Sequence, residues 1–315
     1  MSAESRASDA QIEQVIARVQ QVYSTWRRDT SAQQMREDWD RLFWRDTQPA
    51  QYRDDTLAGV AVRWIDTPDC DPSRLLMYFH GGGFKMGSVV SHHDLMVRLS
   101  AAAGCRVVGV NYRLFPEHGF PAPVDDALAV YRQLLAEGYH AGQIAVAGDS
   151  AGGGVGASLL VALGQAEAPQ PAAAVLLSPW LDMTLSGDSY ESRASADPIH
   201  QRFMLDALAN QYLGKEGDRR NPLASPLFAE LAGLPPLLLQ VGDREVGLDD
   251  SVVFADRAQQ AGVEVALSVW DRMIHVFQQF AEDLPEARQA INDIGHFLQD
   301  HWQSPARARA DLDVE

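Results

Sequence analysis

Apolar positions change their period as the chain proceeds. Over residues 9–45 they recur at three- and four-residue steps, with Ile12, Val15, Ile16, Val19 and Val22 forming one stripe of a helix. Trp26, Met35, Trp39, Leu42, Phe43 and Trp44 follow, and the spacing predicts a helical arm packed on the main body. From Leu57 the pattern becomes short apolar runs at 60–65, 75–79, 106–112, 143–147, 174–178, 237–241 and 263–270. Helical stretches at 91–103, 123–136, 151–164, 249–261 and 285–302 lie between them. The run from Leu75 to Phe79 is apolar at every position, as a strand covered on both faces requires. Strands alternating with helices predict an α/β fold, a mostly parallel sheet with helices on both faces. One interval departs from this. Between Asp182 and Leu234 there is no strand pattern, only a helical segment near 199–213 and proline-bearing loops. An insertion of that size after a core strand reads as a cap, paired with the N-terminal arm.

Composition narrows the partners. Of 315 residues 46% are hydrophobic and 22% charged, enough to build a large core. The net charge of −17, with no cluster of Lys and Arg, argues against nucleic acid and anionic membrane surfaces. No apolar run has the length of a membrane span, and the first residues lack the basic-then-apolar plan of a signal peptide. Cys70 and Cys105 are the only cysteines, too few for a disulfide framework or a thiolate metal site. The expectation from composition is a cytoplasmic protein.

The strongest chemical signal is Gly148-Asp149-Ser150-Ala151-Gly152, a G-x-S-x-G pattern between the apolar run 143–147 and a helix opening on small residues. A strand turning sharply into a helix around a serine is a nucleophile elbow, with glycines where side chains would collide. The helix aims free N–H groups and its positive end at the serine, where charge develops in acyl transfer. Just past the run 75–79 comes His80-Gly81-Gly82-Gly83-Phe84. The N–H groups of Gly82 and Gly83, joined by that of Ala151, would form an oxyanion hole. A phosphate cradle would need another Lys-Ser spacing than Lys85-Met86-Gly87-Ser88 supplies. His80 reads as a structural hydrogen-bonding residue.

A nucleophilic serine needs a base, and the chain has nine histidines. His275 directly follows the last strand run, at the edge of the sheet where reactive groups gather. His92, His93, His118, His140, His200, His296 and His301 fall on helices or remote loops, where solvated or capping roles are commoner. The orienting acid should follow the run 237–241, where Asp243 and Glu245 both stand and position alone does not separate them. Asp149 is excluded, because adjacent elbow residues point apart.

These motifs, with the stretch from Asn111 to Asp126, Ser178-Pro179-Trp180, Leu234-Pro235-Pro236 and Met273–Phe277, resemble the hormone-sensitive-lipase-like branch of the α/β-hydrolases. The resemblance implies an eight-stranded sheet with a helical cap, and hydrolysis of small or medium carboxylic esters with no metal or organic cofactor. It favours Glu245, which keeps the acid position, over Asp243; Ile274 stands where proline commonly precedes the histidine. It also implies a homodimer through the edge strand near 263–270.

The expected organisation is an arm over 1–50, a core over 51–182 and 226–304, a cap insertion over 183–225 and a frayed tail over 305–315. The expected activity is a serine carboxylesterase with Ser150, His275 and Glu245 as the triad. Phe84, Trp39, Phe203, Leu208 and Tyr212 are candidates for the substrate pocket. A lactonase or amidase would use the same residues. A small-molecule receptor on this fold, as in the plant gibberellin receptors, lacks the histidine that this chain retains.

Overall fold

A computed structural model describes residues 6–302; the predicted tail at 305–315 lies outside them. Eight strands form one sheet in the order β1-β2-β4-β3-β5-β6-β7-β8. The strands are β1 (Gln51–Leu57), β2 (Val60–Asp66), β3 (Asp71–Phe79), β4 (Cys105–Asn111), β5 (Ile144–Asp149), β6 (Ala173–Leu177), β7 (Leu237–Gly242) and β8 (Val265–Trp270). Strand β2 runs antiparallel to β1 and β4, and every other pairing is parallel. The alternation along β3 explains its uninterrupted apolarity. Leu75, Met77 and Phe79 enter the core beneath one layer of helices, while Leu76 and Tyr78 enter the core on the opposite face.

The helices of the body are α3 (His93–Ala103), α4 (Ala122–Ala136), α5 (Ala151–Gln165), α8 (Leu248–Gln260) and α9 (Pro285–His301). The N-terminal stretch is two helices, α1 (Asp9–Thr25) and α2 (Ala32–Phe43). Each begins at a serine that accepts a backbone N–H. Ser8 does so in a reciprocal capping box with Gln11, and Ser31 caps through Gln34 N–H. The interval after β6 holds the short α6 (Ser189–Ser192) and α7 (Arg202–Leu213).

Strand β1 has no counterpart in the apolar pattern. Its residues are exposed from Gln51 to Thr56 because it is an edge, held by a full ladder to β2. A tight turn at Ala58 (φ 50°) and Gly59 (φ 83°) joins the two, left-handed at both positions as a two-residue hairpin requires. At the other edge β8 has no fully buried position, and Val269 is 48% exposed. Among the described residues no helix is long and apolar enough to cross a membrane.

Candidate active site

Ser150 sits between the end of β5 and the start of α5 with φ 51° and ψ −121°, a strained conformation for a residue with a side chain. The surroundings fix it. Its N–H donates to Leu177 O (2.9 Å), and its carbonyl accepts from Trp180 N–H (3.0 Å) and Gly154 N–H (3.0 Å). A Cβ on Gly152 would collide with the carbonyl oxygens of Phe79 and His80, and one on Gly148 with that of Gly152. Both glycines are therefore required by close backbone approach.

The glycine loop is bound to the elbow through Asp149. Its buried carboxylate accepts the Tyr78 hydroxyl (2.6 Å) and the Gly81 N–H (2.9 Å), and His92 Nε2 lies 3.3 Å away. Burial pushes the acid up, but His92 and the Tyr78 hydroxyl outweigh it, so Asp149 stays below the usual carboxylate range. His92 is thus no solvated helix residue; it is 1% exposed and belongs to the fastening of this loop. His80 packs flat on Tyr112 (centroids 4.4 Å, 10°), and burial lowers its pKa to about 3, which keeps it neutral. Gly82 has φ 119°, open to glycine alone. Among the described residues no protein acceptor takes the N–H of Gly82, Gly83 or Ala151. Three uncommitted donors beside Ser150 suit a developing oxyanion.

His275 follows β8, and its Nδ1 lies 2.7 Å from Glu245 Oε2. The other oxygen of Glu245 accepts the Ser178 hydroxyl (2.7 Å) and the Gly242 N–H (2.6 Å). Ser178 Oγ in turn accepts Val276 N–H (3.1 Å), so one hydroxyl joins the acid to the loop carrying the histidine. Burial disfavours the imidazolium of His275, but the Glu245 carboxylate outweighs it and raises the pKa above its ordinary value. With Nδ1 engaged, Nε2 is the free basic nitrogen. Asp243, the alternative acid, makes no bond to His275 among the described residues; its N–H donates to Trp270 O (3.0 Å).

A cavity of about 320 Å³ has Ser150, His275, Gly82 and Gly83 in its wall. Much of the remaining lining is apolar, with the arm (Tyr23, Trp26, Trp39, Phe43) and α7 (Met204, Leu205, Leu208) supplying a large share, and His200 stands in the same wall. Of the pocket candidates, Trp39 and Leu208 line it and three do not. Phe84 and Tyr212 are buried and stacked on one another (centroids 3.8 Å, 4°), filling the core with their faces. Phe203 is 74% exposed, because the cavity face of α7 runs through 204, 208 and 211 and leaves residue 203 turned to solvent. Two contributors were not among the predicted site residues. Ser178 sits in a motif without an evident role, and His200 lies in the cap insertion, far from His275 along the chain. Its ring meets that of His275 edge to face at 4.5 Å. Among the described residues no group of three or more His, Cys, Asp or Glu side chains is arranged to hold a metal ion.

A family model for the alpha/beta hydrolase fold matches residues 76–279. An acetyl-hydrolase of Streptomyces hygroscopicus is 42% identical over 243 residues, 77% of this chain and 81% of that protein. An esterase of Acinetobacter venetianus is 37% identical over 247 residues, 78% of this chain and 81% of its own length. The crystal structure of an esterase from the bacterial hormone-sensitive lipase family superposes with a TM-score of 0.89 at 42% identity, covering 94% of this chain and all of the other (100%). The chain belongs to the alpha/beta hydrolase fold family, in its hormone-sensitive-lipase-like branch.

Proposed function

We propose that the protein is a serine carboxylesterase acting on short- to medium-chain esters through an acyl-enzyme on Ser150. The observation that carries this reading is the 2.7 Å contact between Glu245 and His275, with a strained Ser150 lining the same cavity as His275. The relatives named esterase and acetyl-hydrolase agree with it.

His275 Nε2 takes the Ser150 proton as Oγ attacks the ester carbonyl, and the oxyanion rests on the N–H groups of Gly82, Gly83 and Ala151. Glu245 holds the imidazole in the tautomer with Nδ1–H and stabilises the imidazolium. The imidazolium then protonates the departing alkoxide, and water cleaves the acyl-enzyme by the same route in reverse. The arm and α7 cap the site, which supports dividing the chain into a core and a cap made of 1–50 and 183–225. Pairing of two chains along β8 is the family's expectation; β8 is an open sheet edge with Val269 exposed.

Hydrolysis of p-nitrophenyl esters from acetate to dodecanoate by wild type and Ser150→Ala tests the reading. Turnover peaking at short or medium chains and lost in the variant is expected. Equal binding of esters by both forms without turnover would instead make the protein a receptor. Lactones belong on the same panel, since a cyclic ester meets the same groups.

A further inference from the structure

A second chamber, about 20 Å³, is also bounded by Ser150 and His275. A single water needs roughly 10–15 Å³ of such space together with polar partners, so this chamber holds one and little more. Ser150, Trp180, His200, Leu205 and His275 are common to its wall and that of the large cavity. Leu205 offers no polar atom, and the Trp180 indole N–H donates to Asp182 O (3.2 Å). With Ser150 and His275 given to the acyl transfer, His200 is the one polar side chain of the shared wall left without a task.

Its placement is built. Asp197 accepts the N–H of His200 (2.9 Å) with one oxygen and that of Val246 (2.9 Å) with the other, tying His200 to the loop that carries Glu245. Among the described residues neither ring nitrogen of His200 has a hydrogen-bond partner. Burial and the neighbouring His275 lower its pKa to about 4, so the ring is neutral in the working range and offers one donor and one acceptor.

We propose that His200 seats the hydrolytic water of deacylation in the small chamber, next to His275. The inference rests on the serine-esterase reading above. The water oxygen bonds to the acyl carbon while His275 Nε2 takes one of its protons. As the tetrahedral intermediate collapses, the bond from the acyl carbon to Ser150 Oγ breaks and the proton passes from His275 to Ser150 Oγ. His200 gains and loses no proton; it orients the water through a hydrogen bond.

Stopped-flow hydrolysis of p-nitrophenyl butyrate separates the two half-reactions in wild type, His200→Phe and His200→Gln. Phenylalanine keeps a ring against His275 and removes both nitrogens, whereas glutamine restores a donor and an acceptor. In His200→Phe acylation stays close to wild type while deacylation slows about tenfold or more, the weight of one lost hydrogen bond, and a burst of p-nitrophenolate precedes steady turnover. His200→Gln recovers most of the deacylation rate. Acylation and deacylation falling together would overturn the proposal, since His200 would then only prop His275; so would no change in either. If wild-type protein releases p-nitrophenolate from no ester, the esterase reading fails and this inference falls with it.

Discussion

Asp149 and Gly81 are joined by a hydrogen bond of 2.9 Å that ties the nucleophile turn to the loop holding the oxyanion donors. The residue before the serine thus fastens the oxyanion loop and takes no part in orienting the base. Replacing Asp149 by Ala leaves the Tyr78 hydroxyl buried without an acceptor, strips Gly81 N–H of its 2.9 Å bond and leaves it only His92 Nε2 at 3.3 Å, and removes the carboxylate that faces His92 Nε2. Urea denaturation should report a loss of about 3–5 kcal/mol, the range for breaking a buried charged cluster. Ester turnover at permissive urea should drop by about 10²–10³, as for a misplaced oxyanion donor.

The two acids after β7 separate cleanly in a pair of isosteric variants. Glu245→Gln removes the charge that faces His275 Nδ1 and should lower kcat by roughly 10³–10⁴, the cost of a wrong imidazole tautomer. Asp243→Asn should change kcat by less than about threefold, because this half-buried carboxylate makes no bond to His275. Steady-state kinetics with a butyrate ester decides; equal losses would contradict the assignment.

The base form of His275 is the neutral imidazole, so kcat/KM is lost as pH falls through its pKa. Because Glu245 raises that pKa, the acid limb should lie above the ordinary histidine value of 6.5. A pH–rate profile of Glu245→Gln should show the limb moved to lower pH at its reduced rate. A limb that stays in place would mean that another group titrates there.

Gly82 combines φ 119° with a backbone neighbour, Met86 O, standing where a Cβ would project. Gly82→Ala should cost about 1–3 kcal/mol from overpacking and strain, read as a fall in Tm, with turnover falling further as the donors shift. A variant of unchanged Tm and activity would show that the loop tolerates a side chain and that its glycines serve another purpose.

Leu208 stands on the cavity wall, and Leu208→Phe should shorten the space open to the acyl chain. Octanoate esters should lose about tenfold or more in kcat/KM, equivalent to a couple of lost methylenes, with acetate nearly unaffected. An unchanged chain-length profile would place the acyl group elsewhere.

Much of this was legible in the sequence for physical reasons. The fully apolar run at β3 needed cover on both faces, and the glycines around Ser150 marked backbones in contact. The edge strand β1 was not legible, because its stability comes from a ladder to β2 and its side chains face water. Phe203 and Tyr212 were equally aromatic on paper; only the rotation of α7 sends one to solvent and the other into the core. His200 was invisible because its importance lies in a contact across 75 residues, with no local pattern to announce it. Glu245 and Asp243 differ by two positions, and the direction in which the loop after β7 turns decides which one meets the histidine.

The measurement that tests the central claim most directly is peptide mass spectrometry after reaction with a p-nitrophenyl phosphonate, run beside the residual ester activity. One phosphonyl group per chain on the peptide carrying Ser150, with activity lost in proportion and no label in Ser150→Ala, is the predicted result. Label on another residue, or undiminished ester hydrolysis by Ser150→Ala, would contradict it.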